Sequence, residues 1–136
     1  MIEPIKQNIS FGYKSILKDE FRKGNIPLIK GFYGGKLDPK NVSLEHCQAH
    51  CRGGKSTLAN YVLTTAENNM KRGKADIFQY ATKENVEAYF DVFEKCNIGT
   101  VKGTDYLAML SKTLRRLWNQ SPFTKNNDMW EVLKRY

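Results

Sequence analysis

The chain has 136 residues, of which 40% are hydrophobic, and its 22 basic against 14 acidic side chains give a formal net charge of +8. This length predicts a single domain with a core of ordinary size. No apolar run approaches the roughly eighteen residues of a membrane-spanning helix, so no membrane partner is expected. Residues 1–10 are mixed and polar, which predicts no secretory signal peptide. The excess of basic residues predicts an acidic partner, with nucleic acid as the first candidate.

The three cysteines Cys47, Cys51 and Cys96 cannot all pair with one another. A secreted scaffold held by disulfides is therefore disfavoured, and a cytoplasmic location is expected.

The first predicted element is an amphipathic helix over residues 10–23. Apolar side chains recur there at helical spacing at Tyr13, Ile16, Leu17 and Phe21. Gly24 and Asn25 are expected to end this helix, because Pro27 prevents it from continuing. A turn-rich segment with several glycines follows over residues 31–41.

Residues 42–73 predict a strand, a loop, a second strand and a helix. The strands are predicted over residues 42–47 and 61–65, and a turn is predicted between them over residues 52–56. Thr65 is a candidate N-cap for a short helix that Gly73 is well placed to end.

The last third of the chain predicts helices. Val86, Tyr89, Phe90 and Phe93 repeat at helical spacing within residues 85–96, and residues 105–120 carry a clear apolar stripe. Gly99 and Gly103 bracket a break between these two helices, and a final short helix is predicted over residues 127–136. These features together predict an α+β fold.

The segment with the most suggestive chemistry resembles a known family. Its residues, in order, are Glu45-His46, Gly53-Gly54, Asn60, Asn69, Lys71, Arg72 and Gly73. In this order and spacing they resemble the motif of the HNH endonucleases, which share the ββα-metal fold. The resemblance covers residues 31–74, about a third of the chain. Four motif elements in register with the predicted strands and helix are much more specific than any one of them.

The resemblance implies a role for each motif residue. His46 would be the general base that deprotonates water, a task that suits an imidazole near neutral pH. Glu45 and Asn69 would hold one divalent metal ion, Mg²⁺ or Mn²⁺, through oxygen atoms. Asn60 would fix the loop and His46 through hydrogen bonds. Glu45 and His46 are adjacent on a strand, so they can share a site only if the strand is distorted or ends there.

One departure from the family concerns zinc. Many HNH proteins bind a structural zinc through two Cys-x-x-Cys pairs, and the matching positions here are Gly31, Gly34, Thr65 and Asn68. We therefore expect no structural zinc. Hydrophobic packing from the flanking helices must then stabilise the small ββα unit.

A rival interpretation is a zinc site formed by His46, Cys47, His50 and Cys51, because cysteine and histidine are preferred zinc ligands. Four ligands so close in sequence can hardly all reach one tetrahedral ion. Cys47 and Cys51 are therefore interpreted as packing residues, and His50 as a phosphate contact or a further ligand.

Basic residues flank the motif on the loop and the helix. Candidates for nucleic-acid contacts are His50, Arg52, Lys55, Lys71, Arg72 and Lys74. Such side chains contact phosphates without reading sequence. The alternative is a solvated charged face.

The resulting expectation is a metal-dependent DNA endonuclease. The ββα unit would cover residues 29–78, packed by the helix at 10–23 and by a helical region at 83–136. A monomer would nick one strand, and double-strand cleavage would need a homodimer or sequential events. The alternative is a non-catalytic nucleic-acid-binding module that keeps the fold.

Overall fold

A computed structural model describes residues 16–124 and 128–136 of the chain. Within these residues, α-helices combine with small antiparallel sheets, which confirms the predicted α+β class. The helices are α1 (Ile16–Arg22), α2 (Ala66–Arg72), α3 (Ile77–Tyr80), α4 (Lys83–Phe93), α5 (Gly103–Gln120) and α6 (Trp130–Leu133). The strands are β1 (Lys30–Gly31), β2 (Gly34–Lys36), β3 (Val42–His46), β4 (Tyr61–Thr65), β5 (Asn97–Ile98) and β6 (Val101–Lys102).

Strands β3 and β4 form an antiparallel hairpin whose register runs from Val42 opposite Thr65 to His46 opposite Tyr61. All residues of β4 are buried, because this strand is covered on both faces, whereas β3 is only partly covered. Helix α2 begins at the residue that follows β4. The predicted order of strand, loop, strand and helix is therefore confirmed.

Local chemistry sets the ends of α2 as the sequence predicted. The Thr65 side chain accepts a hydrogen bond from the backbone N–H of Asn68, which satisfies one of the free donors of the first helical turn. Gly73 ends the helix with a φ of 54°, in the region that favours glycine.

Helices α4 and α5 contribute side chains that form hydrogen bonds with the backbone of strand β4. Tyr89 on α4 accepts a hydrogen bond from the backbone N–H of Leu63 at 3.1 Å. Tyr106 on α5 donates to the carbonyl of Tyr61 at 2.6 Å. The two hydroxyls are also 2.9 Å apart, within a core of fully buried apolar side chains. Apolar burial and two buried tyrosines thus hold the strand that carries the loop and helix of the site.

Several predicted boundaries differ from the structure. Helix α1 covers Ile16–Arg22, and the part of the prediction at residues 10–15 lies outside the described residues. The last helix, α6, spans only Trp130–Leu133, and the start of its prediction at residue 127 also lies outside. The hairpins β1–β2 and β5–β6 and the short helix α3 were not predicted, because two to four residues are too few to show a period.

No helix in the described part of the chain has both the length and the apolar composition that crossing a membrane requires.

Candidate active site

A cavity of about 160 Å³ opens where strand β3 ends beside helix α2. Its walls contain Leu44, Glu45, His46, Ala49, His50, Asn69, Arg72 and Gly73. Strand β3 ends at His46, which meets the condition under which two adjacent strand residues can share one site. The structure therefore brings together the two sides of the predicted motif, the end of the first strand and the helix.

The imidazole of His46 lies at this cavity. Its ring packs against Tyr61 with the ring centroids 4.8 Å apart, and His50 lies beside it. Burial lowers the pKa of His46, and the nearby side chains of His50 and Arg72 lower it further. The Nε2 atom is buried and has no hydrogen-bond partner among the described residues. A neutral ring with an unoccupied nitrogen is the form that can accept a proton.

Glu45 is buried, with an exposed fraction of 3%. Its Oε2 atom lies 3.6 Å from Nη1 of Arg72. Burial raises the pKa of Glu45, while Tyr33 and Arg72 act in the opposite direction. The carboxylate is thus a buried group next to a compensating positive charge.

Asn69 is oriented by Ser43. The side-chain nitrogen of Asn69 donates to Oγ of Ser43 at 2.6 Å. Ser43 is two residues before Glu45, so both side chains lie on the face of β3 that meets α2. Because the nitrogen of Asn69 is engaged in this bond, its carbonyl oxygen is the atom left to bind a ligand.

Asn60 holds the loop that follows β3. Its side chain accepts a hydrogen bond from the N–H of Gln48 and donates to the carbonyls of Gln48 and Lys55. Gly54 is required in this loop because a Cβ atom there would stand 1.8 Å from the Gln48 oxygen. The hydrogen bonds fit the predicted loop-fixing role of Asn60, although its side chain bonds to Gln48 and Lys55 rather than to His46.

The predicted nucleic-acid contacts divide into two groups. His50, Arg52, Lys55, Lys71 and Lys74 are exposed, and His50 lines the cavity. Arg72 is buried, with an exposed fraction of 5%, and donates to the carbonyls of His46, Cys47 and Ala75. The prediction that Arg72 lies on the exposed basic surface is wrong, because its guanidinium points inward and donates hydrogen bonds to backbone oxygens near Glu45.

The donor set at the cavity fits a hard divalent cation. Carboxylate and amide oxygens come from Glu45 and Asn69, and the buried Oε2 atom of Glu45 lacks a hydrogen-bond partner. Among the described residues, no three His, Cys, Asp or Glu side chains come together as a metal cluster. Mg²⁺ suits so small a set, since it usually keeps several waters and takes one or two carboxylates plus substrate phosphates.

The rival zinc cluster is not brought together. Cys47 is fully buried in the core, whereas His50 and Cys51 are exposed. The interpretation of Cys51 as a packing residue is therefore wrong, while that of Cys47 is confirmed.

Sequence reasoning missed one residue of the site, Ser43, which binds Asn69. Ser43 had a signal, because strand alternation puts it on the same face as Glu45.

Comparisons of the chain with protein-family models, with curated proteins and with solved structures found no match. The function is therefore inferred from the residues of the cavity and their geometry.

Proposed function

We propose that this chain is a metal-dependent DNA endonuclease of the HNH type. One observation carries the proposal: Glu45, His46 and Asn69, which are motif residues from two separate elements, line a single cavity. An accidental motif match would not require a strand residue and a helix residue to meet in this way.

The residues of the cavity have complementary tasks in phosphodiester hydrolysis. His46 takes a proton from the attacking water, a task that suits a half-buried imidazole whose pKa is lowered by burial. Glu45 and Asn69 hold one Mg²⁺ or Mn²⁺ ion. When bound, such an ion offsets the negative charge that gathers on the phosphate and the departing oxygen. Asn60 keeps in place the loop that carries Arg52 and Lys55.

Substrate binding is assigned to the exposed cations around the cavity. Arg52 and Lys55 lie on the loop, and Lys71 and Lys74 lie on and just after α2. Contacts of this kind bind phosphates irrespective of sequence. The net charge of +8 favours the same partner. One site per chain would nick one strand, and a homodimer would be needed to cut both in one encounter.

A plasmid-nicking assay tests this function. Purified protein and supercoiled DNA are incubated with Mg²⁺, with Mn²⁺ or with EDTA, and the conversion to nicked circles is measured. We expect nicking with either metal and none with EDTA. A His46→Ala protein purified in parallel controls for contaminating nucleases. DNA binding without cleavage under all conditions would overturn the proposal and favour the non-catalytic binding module.

A further inference from the structure

We propose that a second cavity, next to the candidate active site, binds one nucleobase of the DNA that is turned out of the base stack. The inference rests on the proposed function and names its substrate class, which is DNA with a mismatched or unpaired base close to the scissile phosphate. The HNH resemblance does not imply this site, because neither the proposed base His46 nor the proposed metal ligands Glu45 and Asn69 line it.

The second cavity has a volume of about 340 Å³ and lies between three segments of the chain. They are the loop after β3, the turn between α2 and α3, and the end of α5 together with Pro122. Ala49 and Arg72 line both cavities, so the second cavity directly adjoins the candidate active site. A nucleotide whose phosphate lies at the active site therefore has its own base, or that of the next nucleotide, within reach of the second cavity.

The walls of this cavity combine apolar and polar side chains. Ala75, Ile77 and Leu117 provide apolar surface, and Asp76 and Gln120 provide hydrogen-bonding groups. A nucleobase has the same division, with two apolar faces and a polar edge. The volume lies within the range of about 300–1,000 Å³ that is usual for small-molecule sites. An unstacked base therefore matches the cavity in both size and chemistry.

The carboxylate of Asp76 favours a base over a phosphate in this cavity. Its Oδ1 atom accepts a hydrogen bond from the backbone N–H of Phe78 at 2.8 Å. Among the described residues this is the only hydrogen bond of the carboxylate, so Oδ2 remains able to accept another. A carboxylate repels phosphate but accepts hydrogen bonds from amino groups, as acidic side chains do from N4 of cytosine. The side-chain amide of Gln120 offers both a donor and an acceptor at the same cavity.

The two arginines of the cavity have different tasks. Arg72 is buried and donates its hydrogen bonds to three backbone carbonyls, so it forms part of the wall. Arg52 is exposed, and among the described residues its hydrogen bond is the one from Nε to the carbonyl of Lys74, at 3.2 Å. The two Nη atoms of Arg52 thus remain for a phosphate outside the cavity while the base lies inside it.

The wall that the loop contributes is held in place before a ligand binds. Nε2 of Gln48 donates to the carbonyl of Arg52 at 2.8 Å, and Oε1 of Gln48 accepts from Nη1 of Arg116 on α5 at 3.0 Å. These bonds connect the loop with α5, the two elements on either side of the cavity. A wall that is already formed loses little freedom when the base enters.

The class of DNA follows from the cost of turning a base out. Base pairing and stacking must be given up, and the cost is lowest for a base that is mismatched or unpaired. The chain should therefore bind a mismatched duplex more tightly than a fully paired one.

Fluorescence anisotropy titrations in EDTA measure this preference without cleavage. The probes are a short, fully paired DNA duplex and the same duplex with one cytosine opposite an adenine. We expect the parent to bind the mismatched duplex about tenfold more tightly.

Ala75→Phe places a ring in the cavity and should abolish the preference, while the affinity for the fully paired duplex is retained. Ala88→Phe is the matched control, because it adds the same side chain at an exposed position on α4 that lines a separate cavity. It should keep the preference of the parent.

Should Ala75→Phe fail to melt cooperatively, Gln120→Ala replaces it. This variant should reduce the preference by about threefold or more, because a hydrogen bond to the base is lost. Asn119→Ala changes the neighbouring residue, which does not line the cavity, and should leave the preference unchanged.

The outcomes separate this inference from the proposed function. A parent that nicks plasmid DNA but binds the two duplexes equally would overturn the inference alone, as would a preference that survives in a folded Ala75→Phe protein. A preference that Ala75→Phe abolishes, in a parent that does not nick, would support the base site and overturn the nuclease function. A parent that neither binds nor nicks DNA would overturn both.

Discussion

The guanidinium of Arg72 donates a hydrogen bond to the backbone carbonyl of His46 at 2.5 Å, which ties helix α2 to the last residue of strand β3. A second bond, to the carbonyl of Cys47 at 2.7 Å, holds the chain just past the end of that strand. Glu45 and Asn69, the two proposed metal ligands, lie on the strand and helix joined in this way. Arg72 therefore contributes to the relative placement of the two sides of the cavity.

Replacing Arg72 with methionine should affect the stability of the fold, whereas replacing its neighbour Lys71 should affect DNA binding. Arg72→Met leaves Glu45 buried without its cation and should cost about 3–5 kcal/mol in the free energy of unfolding. Lys71→Met, at an exposed position, should change that free energy by no more than about 0.5 kcal/mol. Lys71→Met should instead reduce the slope of log DNA affinity against log salt concentration by about 1, which corresponds to one lost phosphate contact.

Urea unfolding and fluorescence titrations of DNA at several salt concentrations measure both quantities. If Arg72→Met unfolds like the parent and shows the smaller salt dependence, the guanidinium binds phosphate rather than the backbone.

Replacement of the proposed base should separate catalysis from binding. His46→Ala should abolish nicking in Mg²⁺ while DNA affinity changes little, because the imidazole acts on water rather than on phosphate. Nicking rates and binding isotherms on the same DNA provide the measurement. Asn119→Ala, at an exposed position on α5 away from the motif residues, is the control and should retain cleavage. Wild-type nicking by the His46 variant would remove the residue from the mechanism.

The two proposed ligands should respond differently to metal concentration. Glu45→Gln removes the charged ligand and keeps its volume, whereas Asn69→Ala removes a neutral carbonyl. Both should cripple nicking at low Mg²⁺, and raised Mg²⁺ should rescue Asn69→Ala better. Titrations of Mg²⁺ and Mn²⁺ against nicking rate test this, after each variant is shown to melt like the parent. An Asn69→Ala protein with wild-type activity at low metal would remove Asn69 from the site.

Chelation should leave the fold intact. The positions of the zinc cysteines are occupied by Gly31, Gly34, Thr65 and Asn68, and the hairpin is held instead by apolar packing and by Tyr89 and Tyr106. We expect no stoichiometric zinc by elemental analysis and the same melting temperature with and without EDTA. One zinc per chain together with melting after chelation would show that the metal-free interpretation is wrong.

Local signals accounted for the central hairpin and helix. Strand β4 was predicted with the observed bounds, and both the Thr65 cap and the Gly73 end of α2 were predicted, because each depends on a few adjacent residues. The meeting of Glu45, His46 and Asn69 at one cavity followed from the resemblance, since periodicity alone places Glu45 and His46 on opposite faces.

The direction of the basic side chains was harder to predict, because charge alone suggests exposure. Arg72 is three residues after Asn69 and so lies on the same side of α2, towards the strand, whereas Lys71 does not. That spacing was a usable signal for the burial of Arg72.

The loop between β3 and β4 should depend on the side chain of Asn60. Asn60→Ala removes three hydrogen bonds and leaves partly buried backbone groups of Gln48 and Lys55 unpaired, so it should cost about 2 kcal/mol. Asn119→Ala, at an exposed position on α5, is the control and should stay within about 0.5 kcal/mol of the parent. Urea unfolding gives both values.

Hydrogen exchange distinguishes a local effect from a general one. The amide of Gln48 donates to Asn60 at 2.8 Å, so its exchange should accelerate more in Asn60→Ala than that of Leu63, whose amide donates to Tyr89. Nicking should then fall even where the variant is fully folded, because the loop carries Arg52 and Lys55 beside the cavity. Full activity and unchanged exchange at Gln48 would mean that the loop holds its shape without Asn60. In that case the resemblance of Asn60 to the HNH motif would have no structural role behind it, and the proposed function would rest on Glu45, His46 and Asn69.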